Sequence, residues 1–130
     1  MTEIFTLTLS PSLDSATTTA KMYPEGKLRC TAPVFEPGGG GINVARAIVY
    51  LGGQAHAIFP IGGPTGEHLK ELLDREGIQT ETLTTADWTR QNLHVHVDSS
   101  GEQFRFVMPG AQLTQSEFDQ LAQRVNAIPA

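Results

Sequence analysis

The sequence has almost no cysteine and no excess of basic residues. Cys30 is the single cysteine among 130 residues, so an intramolecular disulfide and a cysteine-rich zinc site are both excluded. Acidic side chains outnumber basic ones by 14 to 9, which gives a net charge of −5. Because proteins that bind nucleic acid normally carry a basic excess, we expect no nucleic-acid partner.

Long hydrophobic runs are also missing. No apolar stretch approaches the roughly 20 residues of a membrane-spanning helix. The N-terminal stretch MTEIFTLTLSPS lacks the charged and then apolar segments of a signal peptide. With 39% hydrophobic and 18% charged residues, the composition is typical of a globular domain with one modest core. We therefore expect a cytoplasmic protein with no membrane partner.

Glycine, by contrast, is abundant, and four glycines are consecutive in PGGGGIN at 37–43. A P-loop would end in Gly-Lys-Ser/Thr, and the dinucleotide fingerprint would need a third glycine near Asn43 and Val44, so neither motif fits. A flexible linker is a third interpretation, but linkers do not usually lead directly into an apolar helix. We favour a backbone surface pressed against a ligand, at a helix N-terminus that attracts oxygen-rich or anionic groups. Asn43 would add an amide that donates to and accepts from hydroxyls.

The hydrophobic pattern predicts alternating strands and helices. Strands are predicted at 4–9, 55–63 and 78–83, and helices at 42–51, at 65–76 with Thr65 as the N-cap, and after a capping box of Thr114 and Glu117. The helix at 42–51 is apolar nearly all round, so we expect it to be buried. A turn is predicted in SPSLD at 10–14, and the threonine-rich stretch 15–22 has no clear helical periodicity. The alternation predicts an α/β fold with a parallel sheet flanked by helices.

Two further segments are predicted to form a separate small sheet. Residues 27–35 alternate as a half-buried strand with a basic outer face, and 92–108 has the pattern of a hairpin with Gly101 in its turn. One face of this sheet would be apolar, formed by Leu28, Cys30, Val34, Leu93, Val95 and Val97. Such a sheet cannot face water on both sides, so we expect a partner to cover the apolar face.

Several stretches of this chain resemble the ribokinase-like carbohydrate kinases, the PfkB family. PGGGGINVARAIVYLGG, followed by AIFPIGGPTGEHL, is similar to the first signature of that family. TLTLSPSLD, YPEGKLRCTAPVFEP, DWTRQNLHVHV and GEQFRFVMPGA extend the similarity over nearly the whole chain and resemble the phosphofructokinase branch. Many relatives that phosphorylate other sugar phosphates have Gly-Gly-Lys-Gly at the glycine run, which favours this branch.

The resemblance implies the glycolytic transfer of the γ-phosphoryl group of MgATP to fructose 6-phosphate, giving fructose 1,6-bisphosphate. It implies a ribokinase-like α/β core into which lid segments at about 16–35 and 88–108 are inserted. Two such β-sheet lids would pack face to face in a homodimer. Two alternatives stay open: a kinase for fructose 1-phosphate or tagatose 6-phosphate, and a non-catalytic sugar-phosphate-binding module if 130 residues is the natural length.

Members of this family are longer than this chain. Their ATP site and catalytic base lie in the second half, the base within a Gly-Ala-Gly-Asp motif that this sequence does not contain. We therefore expect residues 1–130 to be the N-terminal, sugar-binding and dimerisation portion, with the ATP-binding half outside this chain. Mg²⁺ and ATP would be used by the full-length protein. The chain alone is expected to have no catalytic residue, no tightly bound cofactor and no activity.

The resemblance also assigns the residues that bind the substrate. They are Ser12, Asp14, Lys27, Gly39, Gly40, Asn43 and Arg90, with Arg29 and Arg105 in a supporting role. The carboxylate of Asp14 would accept sugar hydroxyls, although alone it would be read as a turn or capping residue. The guanidinium of Arg90 suits the oxygens of the sugar 6-phosphate. Lys27 would reach the same phosphate, across the dimer.

His94 and His96 lie two residues apart on one predicted strand face. Such a pair without a third nearby ligand is weak evidence for zinc, so we expect no metal site. We interpret the two histidines as lid residues near the substrate entrance. Trp88 is expected to pack at the hinge into the lid, and Cys30 to be an apolar filler of the lid face.

Overall fold

Seven strands and three helices follow one another along residues 2–129, the part of the chain that the computed structural model describes. The strands are β1 Ile4–Leu7, β2 Ser12–Thr19, β3 Val34–Gly38, β4 Ala55–Ile61, β5 Gln79–Thr84, β6 Arg90–Val97 and β7 Gln103–Phe106. The helices are α1 Gly40–Tyr50, α2 Gly63–Arg75 and α3 Gln115–Asn126. None of these helices is long and apolar enough to cross a membrane.

The first sheet is parallel, with strand order β1-β4-β5. Its central strand, β4, is buried along almost its whole length, as expected for a strand covered on both faces. Alternate residues of β4, among them Ala57 and Phe59, form the core together with Ile42 and Ala45 of α1 and Leu69 of α2. The predicted α/β class, with its helix-flanked parallel sheet, is confirmed.

The three helices cover opposite faces of the parallel sheet. Helices α1 and α2 pack on the face that contains Ala57 and Phe59. Helix α3 lies on the other face, where its Phe118 and Leu121 line a cavity of about 220 Å³ with Leu7 of β1. The register supports this division because Leu7 pairs with Ile58, which points away from Ala57 and Phe59. Strand β1 is at the edge of this sheet.

The second sheet is mixed, with strand order β3-β2-β6-β7. Strand β2 runs parallel to β6 and antiparallel to β3, and β6 and β7 form a hairpin in which Gly101 has a φ of +72°. Residues paired across the strands share a face of the sheet. We call one side the polar face, formed by Ser12, Asp14, Glu36, Arg90, Asn92, His94 and Arg105, and the other the apolar face, formed by Phe35, Leu93, Val95, Phe104 and Phe106.

The prediction of a strand at 27–35 is wrong for most of these residues, because β3 begins only at Val34. Cys30 makes just an isolated bridge to Thr19 and is exposed rather than packed. The side chain of Thr31 is one physical reason, since its Oγ1 accepts a hydrogen bond from the N–H of Thr18 at 3.0 Å, where a strand would offer a carbonyl. The alternation of small residues in this segment therefore does not correspond to a ladder of strand pairs.

The composition predicted for the apolar face also needs correction. Val34 pairs with Ala16 and so lies on the polar face, where it is 61% exposed. Val95 and Val97 are buried within this chain, at 6% and 2% exposure. The large apolar side chains that stay exposed on the apolar face are instead those of Phe104 and Phe106 of β7.

Strand β2 occupies residues for which the sequence predicted a turn and an irregular stretch. Its threonines are β-branched and suit a strand, but their polarity hides the period of two. Their hydroxyl groups form hydrogen bonds with a distant segment. Thr19 Oγ1 donates to the carbonyl of Arg29 at 3.0 Å, and Thr17 Oγ1 donates to that of Thr31 at 2.7 Å. Contacts with other segments, rather than an apolar pattern of its own, therefore stabilise β2 as a central strand.

Two helix predictions were partly wrong. Helix α1 is not buried all round, since Val44, Tyr50 and Leu51 at and beside it are 52%, 90% and 83% exposed. Helix α2 begins earlier than predicted, with Gly62 as the N-cap. Thr65 does not cap it, because its Oγ1 donates to the carbonyl of Thr89 at 2.6 Å.

The capping box of α3 is confirmed. Thr114 Oγ1 accepts from the N–H of Glu117, and the Glu117 carboxylate accepts from the N–H of Thr114. Hydrogen bonds from the backbone of Thr114 and then of Ala86 lower the pKa of Glu117. The second of these bonds ties the start of α3 to the chain that follows β5.

Candidate functional site

The glycine run lies where β3 passes into α1, beside the carboxyl end of β1. Three of its glycines are required by the packing. Gly39 has a φ of +125°, which side-chain-bearing residues rarely adopt. A Cβ on Gly41 would lie 2.7 Å from the carbonyl oxygen of Leu7, and a Cβ on Gly38 would lie 2.5 Å from Asp14 Oδ2.

Gly40 differs from its neighbours because a Cβ built on it would meet nothing within 4 Å. The fold therefore does not require a glycine at this position. The missing side chain leaves an open backbone surface at the N-terminus of α1. This openness fits the interpretation that the glycine run approaches a ligand.

The N-terminus of α1 presents free donors. The N-cap residue, Gly39, has no side chain to cap the helix, and the N–H groups of Gly40 and Gly41 have no partner among residues 2–129, whereas the N–H of Ile42 donates to Thr8 Oγ1 at 3.0 Å. Asn43, one turn into the helix, is exposed, and its side chain makes no hydrogen bond to the described residues. Amide N–H groups at a helix N-terminus favour anions and polar oxygens.

The carboxylate of Asp14 is anchored through one of its two oxygens. Oδ1 accepts hydrogen bonds from Ser12 Oγ at 2.7 Å and from Asn92 Nδ2 at 3.2 Å, and both donor residues are buried, at 2% and 6% exposure. Oδ2 has no hydrogen-bond partner within the described chain. It lies beside Gly38, so the absent side chain there leaves room for this oxygen. The free oxygen can accept from a ligand hydroxyl.

Arg90 joins two segments at the end of the polar face. Its Nη1 donates to the carbonyl of Met108 and its Nη2 to the carbonyl of Ser10, both at 3.0 Å. Its Nε is buried and has no partner among the described residues. Each Nη carries a second hydrogen, so the guanidinium can hold this backbone and still donate to a ligand.

The remaining predicted residues lie in two places. Arg105 pairs with His94 on the polar face, the face that also contains Asp14 and Arg90. Lys27 and Arg29 instead line a separate open cavity of about 350 Å³. Asp14, Arg90 and Arg105 therefore share one face of the sheet, and the glycine run adjoins Asp14 through Gly38, whereas Lys27 and Arg29 lie elsewhere.

Asn92 is a residue of this site that the sequence reasoning missed. Besides its bond to Asp14, its Oδ1 accepts from the N–H of Met108 at 2.8 Å. The available signal was its position two residues after Arg90, which puts both side chains on one strand face. That signal was too weak to separate Asn92 from its polar neighbours.

The histidine pair gains no third ligand. Within residues 2–129, no group of three or more His, Cys, Asp or Glu side chains could hold a metal ion. His96 Nε2 lies 3.8 Å from Asp98 Oδ1.

Trp88 is 60% exposed, and its ring covers Gly63, where a Cβ would lie 2.5 Å from Trp88 Cγ.

Residues 7–128 match the sequence profile of the pfkB family of carbohydrate kinases. The chain belongs to this family. As a pfkB family chain, it is 70% identical over 125 residues to the ATP-dependent 6-phosphofructokinase isozyme 2 of Escherichia coli strain K12, a match that covers 96% of this chain and 40% of the relative. The family resemblance predicted from the sequence is confirmed.

Solved structures of a pfkB relative match the same region. The phosphofructokinase-2 of Escherichia coli in complex with fructose-6-phosphate has a TM-score of 0.96 and 68% identity, over 100% of this chain and 43% of that chain. The tetrameric inhibited form of that enzyme has a TM-score of 0.95 and 68% identity, with the same coverage. This chain spans about two fifths of the length of the relatives it matches.

Proposed function

We propose that this chain is the sugar-binding portion of an ATP-dependent 6-phosphofructokinase that acts in the cytoplasm. The full-length protein would transfer the γ-phosphoryl group of ATP, with Mg²⁺, to the 1-hydroxyl of fructose 6-phosphate. The observation that carries the proposal is the convergence of Asp14 and the glycine run at the carboxyl end of β1, where open α/β sheets bind their ligands. The 70% identity to the Escherichia coli enzyme supports this substrate and co-substrate.

Each part of the sugar phosphate has a matching group on this chain. The free Oδ2 of Asp14 and the exposed amide of Asn43 suit sugar hydroxyls. The backbone N–H of Gly40 is open to a ligand oxygen. Arg90 would bind the 6-phosphate through its remaining N–H groups, and Arg105 on the same face would add positive charge.

Lys27 and Arg29 would complete the phosphate site from a second subunit. In this proposal the mixed sheet is the lid, formed by segments at about 16–35 and 88–108, and two lids pack through their apolar faces. Phe104 and Phe106 support the contact, since they are 36% and 43% exposed on the edge strand β7. A tetrameric form exists for the Escherichia coli relative.

The nucleotide and its metal would be bound outside this chain. The described residues contain no cluster that fits Mg²⁺, and we assign no step to it here. The catalytic base would likewise come from the part of the protein that extends beyond this match, since this chain covers 40% of the relative.

A substrate panel tests the proposed function. Joining this chain to the C-terminal part of the Escherichia coli relative that it does not cover would give a full-length protein, which we call the chimeric kinase. We expect its kcat/KM to be highest for fructose 6-phosphate, because the site offers separate groups for hydroxyls and for phosphate. Higher values for fructose 1-phosphate or tagatose 6-phosphate would reassign the substrate, and loss of turnover relative to the Escherichia coli enzyme would contradict the proposal.

The lid contact predicts that Phe106→Asp shifts the chimeric kinase toward monomer. A charge placed in an apolar contact is costly unless it is paired, while an exposed position keeps the effect on folding small. Gln103→Asp is the matched control, because Gln103 lies on the same strand and pairs with His96 on the opposite face. Sedimentation analysis measures the mass; an unchanged mass for Phe106→Asp, or the same shift for both variants, would contradict this contact.

A further inference from the structure

One buried amide, that of Asn92, connects the two ends of the candidate site. Asn92 is 6% exposed and lies directly across from Asp14 in the parallel pair of β2 and β6. Its Nδ2 donates to Asp14 Oδ1 at 3.2 Å, and its Oδ1 accepts from the N–H of Met108 at 2.8 Å. The carbonyl of the same Met108 accepts from Arg90 at 3.0 Å. A single path of hydrogen bonds therefore runs from Asp14 to Arg90.

The orientation of this amide is fixed by chemistry. The N–H of Met108 requires an acceptor, and an ionised carboxylate can only accept, so the oxygen of Asn92 must face Met108 and its nitrogen must face Asp14. Because both partners are used, a flipped amide would lose both bonds. The side chain thus sets the position of Asp14 relative to the chain that leaves β7.

The two oxygens of the Asp14 carboxylate therefore have different partners. Asn92 and Ser12 both donate to Oδ1, which leaves Oδ2 free beside Gly38. Without the amide, only Ser12 Oγ would hold the carboxylate, and the group could rotate about its last bond. The free oxygen would then no longer have one fixed direction.

We propose that Asn92 is a positioning residue, which directs Oδ2 of Asp14 toward the sugar hydroxyls and holds Asp14 in register with Arg90. This inference rests on the proposed function. It differs from a purely structural role, in which Asn92 would only tie Met108 to β6. A purely structural role predicts a loss of stability that is independent of Asp14.

A double-mutant cycle in the chimeric kinase separates the two roles. Because a hydrogen bond to a charged group is lost, we expect Asn92→Ala to raise the KM for fructose 6-phosphate by roughly tenfold or more, with the KM for ATP little changed. In an Asp14→Ala background the same change should have little further effect. Gln115→Ala, which removes an exposed hydrogen bond to Asp119 within α3, is the control and should leave both KM values unchanged.

The second variant, Asn92→Asp, tests the donor itself and keeps the size of the side chain. When the introduced carboxyl group is protonated, it can donate to Asp14 and accept from Met108, as the amide does, whereas the ionised form repels Asp14. The carboxylate of Asp14 raises the pKa of the introduced group, and Glu36, Arg90, His94 and Arg105 also lie on this face. The ratio of the variant's KM for fructose 6-phosphate to that of the unchanged chimera should therefore be small below the raised pKa and grow as the pH rises through it.

These measurements can overturn the inference without touching the proposed function. If the unchanged chimera phosphorylates fructose 6-phosphate but Asn92→Ala has an undiminished effect in the Asp14→Ala background, Asn92 does not act through Asp14. A KM ratio for Asn92→Asp that does not change with pH would overturn the role of the donor. An unchanged chimera that is inactive on every phosphosugar would instead overturn the proposed function, and this inference with it.

Discussion

The 130-residue chain alone is expected to give no turnover of ATP and fructose 6-phosphate, whereas the chimeric kinase is expected to turn both over. Catalysis of phosphoryl transfer consists almost entirely of positioning and electrostatic stabilisation. In the proposed function this chain supplies groups for the sugar phosphate, but it covers 40% of the relative and contains no Gly-Ala-Gly-Asp motif. It should therefore bind the phosphosugar in preference to ATP and fail to accelerate the transfer.

The faces of the parallel sheet indicate how the chain of the proposed full-length protein would continue after α3. Helices α1 and α2 lie on one face and carry the chain from β1 to β4 and on to β5. Helix α3 lies on the other face. Since crossovers between parallel strands are right-handed, a helix on the opposite face leads the chain back in the opposite direction. We expect the next strand of the full-length protein to pair with the free edge of β1.

A strand in that position would complete the site as well as the sheet. The strand order would reverse at β1, and open α/β sheets bind ligands at such a reversal. Leu7 and Leu9 at the edge of β1, with Phe118 of α3, are 43%, 49% and 47% exposed and would be covered by the continuation. On the isolated chain this edge and its apolar surroundings favour self-association.

A coupled assay on the purified chain, with the chimeric kinase measured in parallel, tests this expectation. Both proteins should come from a host that lacks its own phosphofructokinases, so that contamination cannot supply the signal. Turnover by the chain alone that is clearly above a blank and rises with its concentration would show that the catalytic machinery lies within these residues. Calorimetric titration with each substrate measures the predicted preference for the phosphosugar.

Most parts of the fold that the sequence predicted have a strong apolar pattern. The helix after Thr114 has apolar residues at helical spacing and β4 is an almost continuous apolar run, and both were found. Strand β5 was also found, although its segment IQTETL has apolar residues only at its two ends. Strand β2 was missed because its threonines are polar and their partners lie in distant segments. The prediction of a strand at 27–35 failed for the converse reason. The alternation is present, but the N–H of Thr18 bonds the side chain of Thr31 instead of its carbonyl, and only an isolated bridge forms beside it.

The residues of the candidate site also differ in how far the sequence predicts them. The glycine run was visible because four consecutive glycines are costly to order and need a reason. The role proposed for Asp14 came from the family resemblance. Asn92 could not be found, because its importance depends on the register that brings it opposite Asp14, a residue 78 positions away in the sequence. The register between distant strands cannot be predicted from a local sequence pattern.

Asp14→Ala in the chimeric kinase is expected to lower the kcat/KM for fructose 6-phosphate by roughly a hundredfold or more, since each hydrogen bond to a charged group contributes about 1.5–3 kcal/mol and two hydroxyls can be bound. The KM for ATP should change little. The substitution also leaves the donors of Ser12 and Asn92 without their acceptor. Thermal unfolding must therefore be measured, so that a loss of folded protein is not mistaken for a loss of affinity.

Glu36→Gln is the matched control for the charge of Asp14. Glu36 pairs with Asp14 across β2 and β3 and lies on the same face, but it is exposed and has no assigned role. Removing its charge should change the kcat/KM for fructose 6-phosphate by less than about threefold, because exposed charges interact weakly. Equal losses of kcat/KM in both variants would mean that binding of the sugar phosphate depends only on the net charge of the polar face. An unchanged KM for fructose 6-phosphate in a folded Asp14→Ala variant would remove Asp14 from the site, because a ligand hydroxyl would then have lost no acceptor.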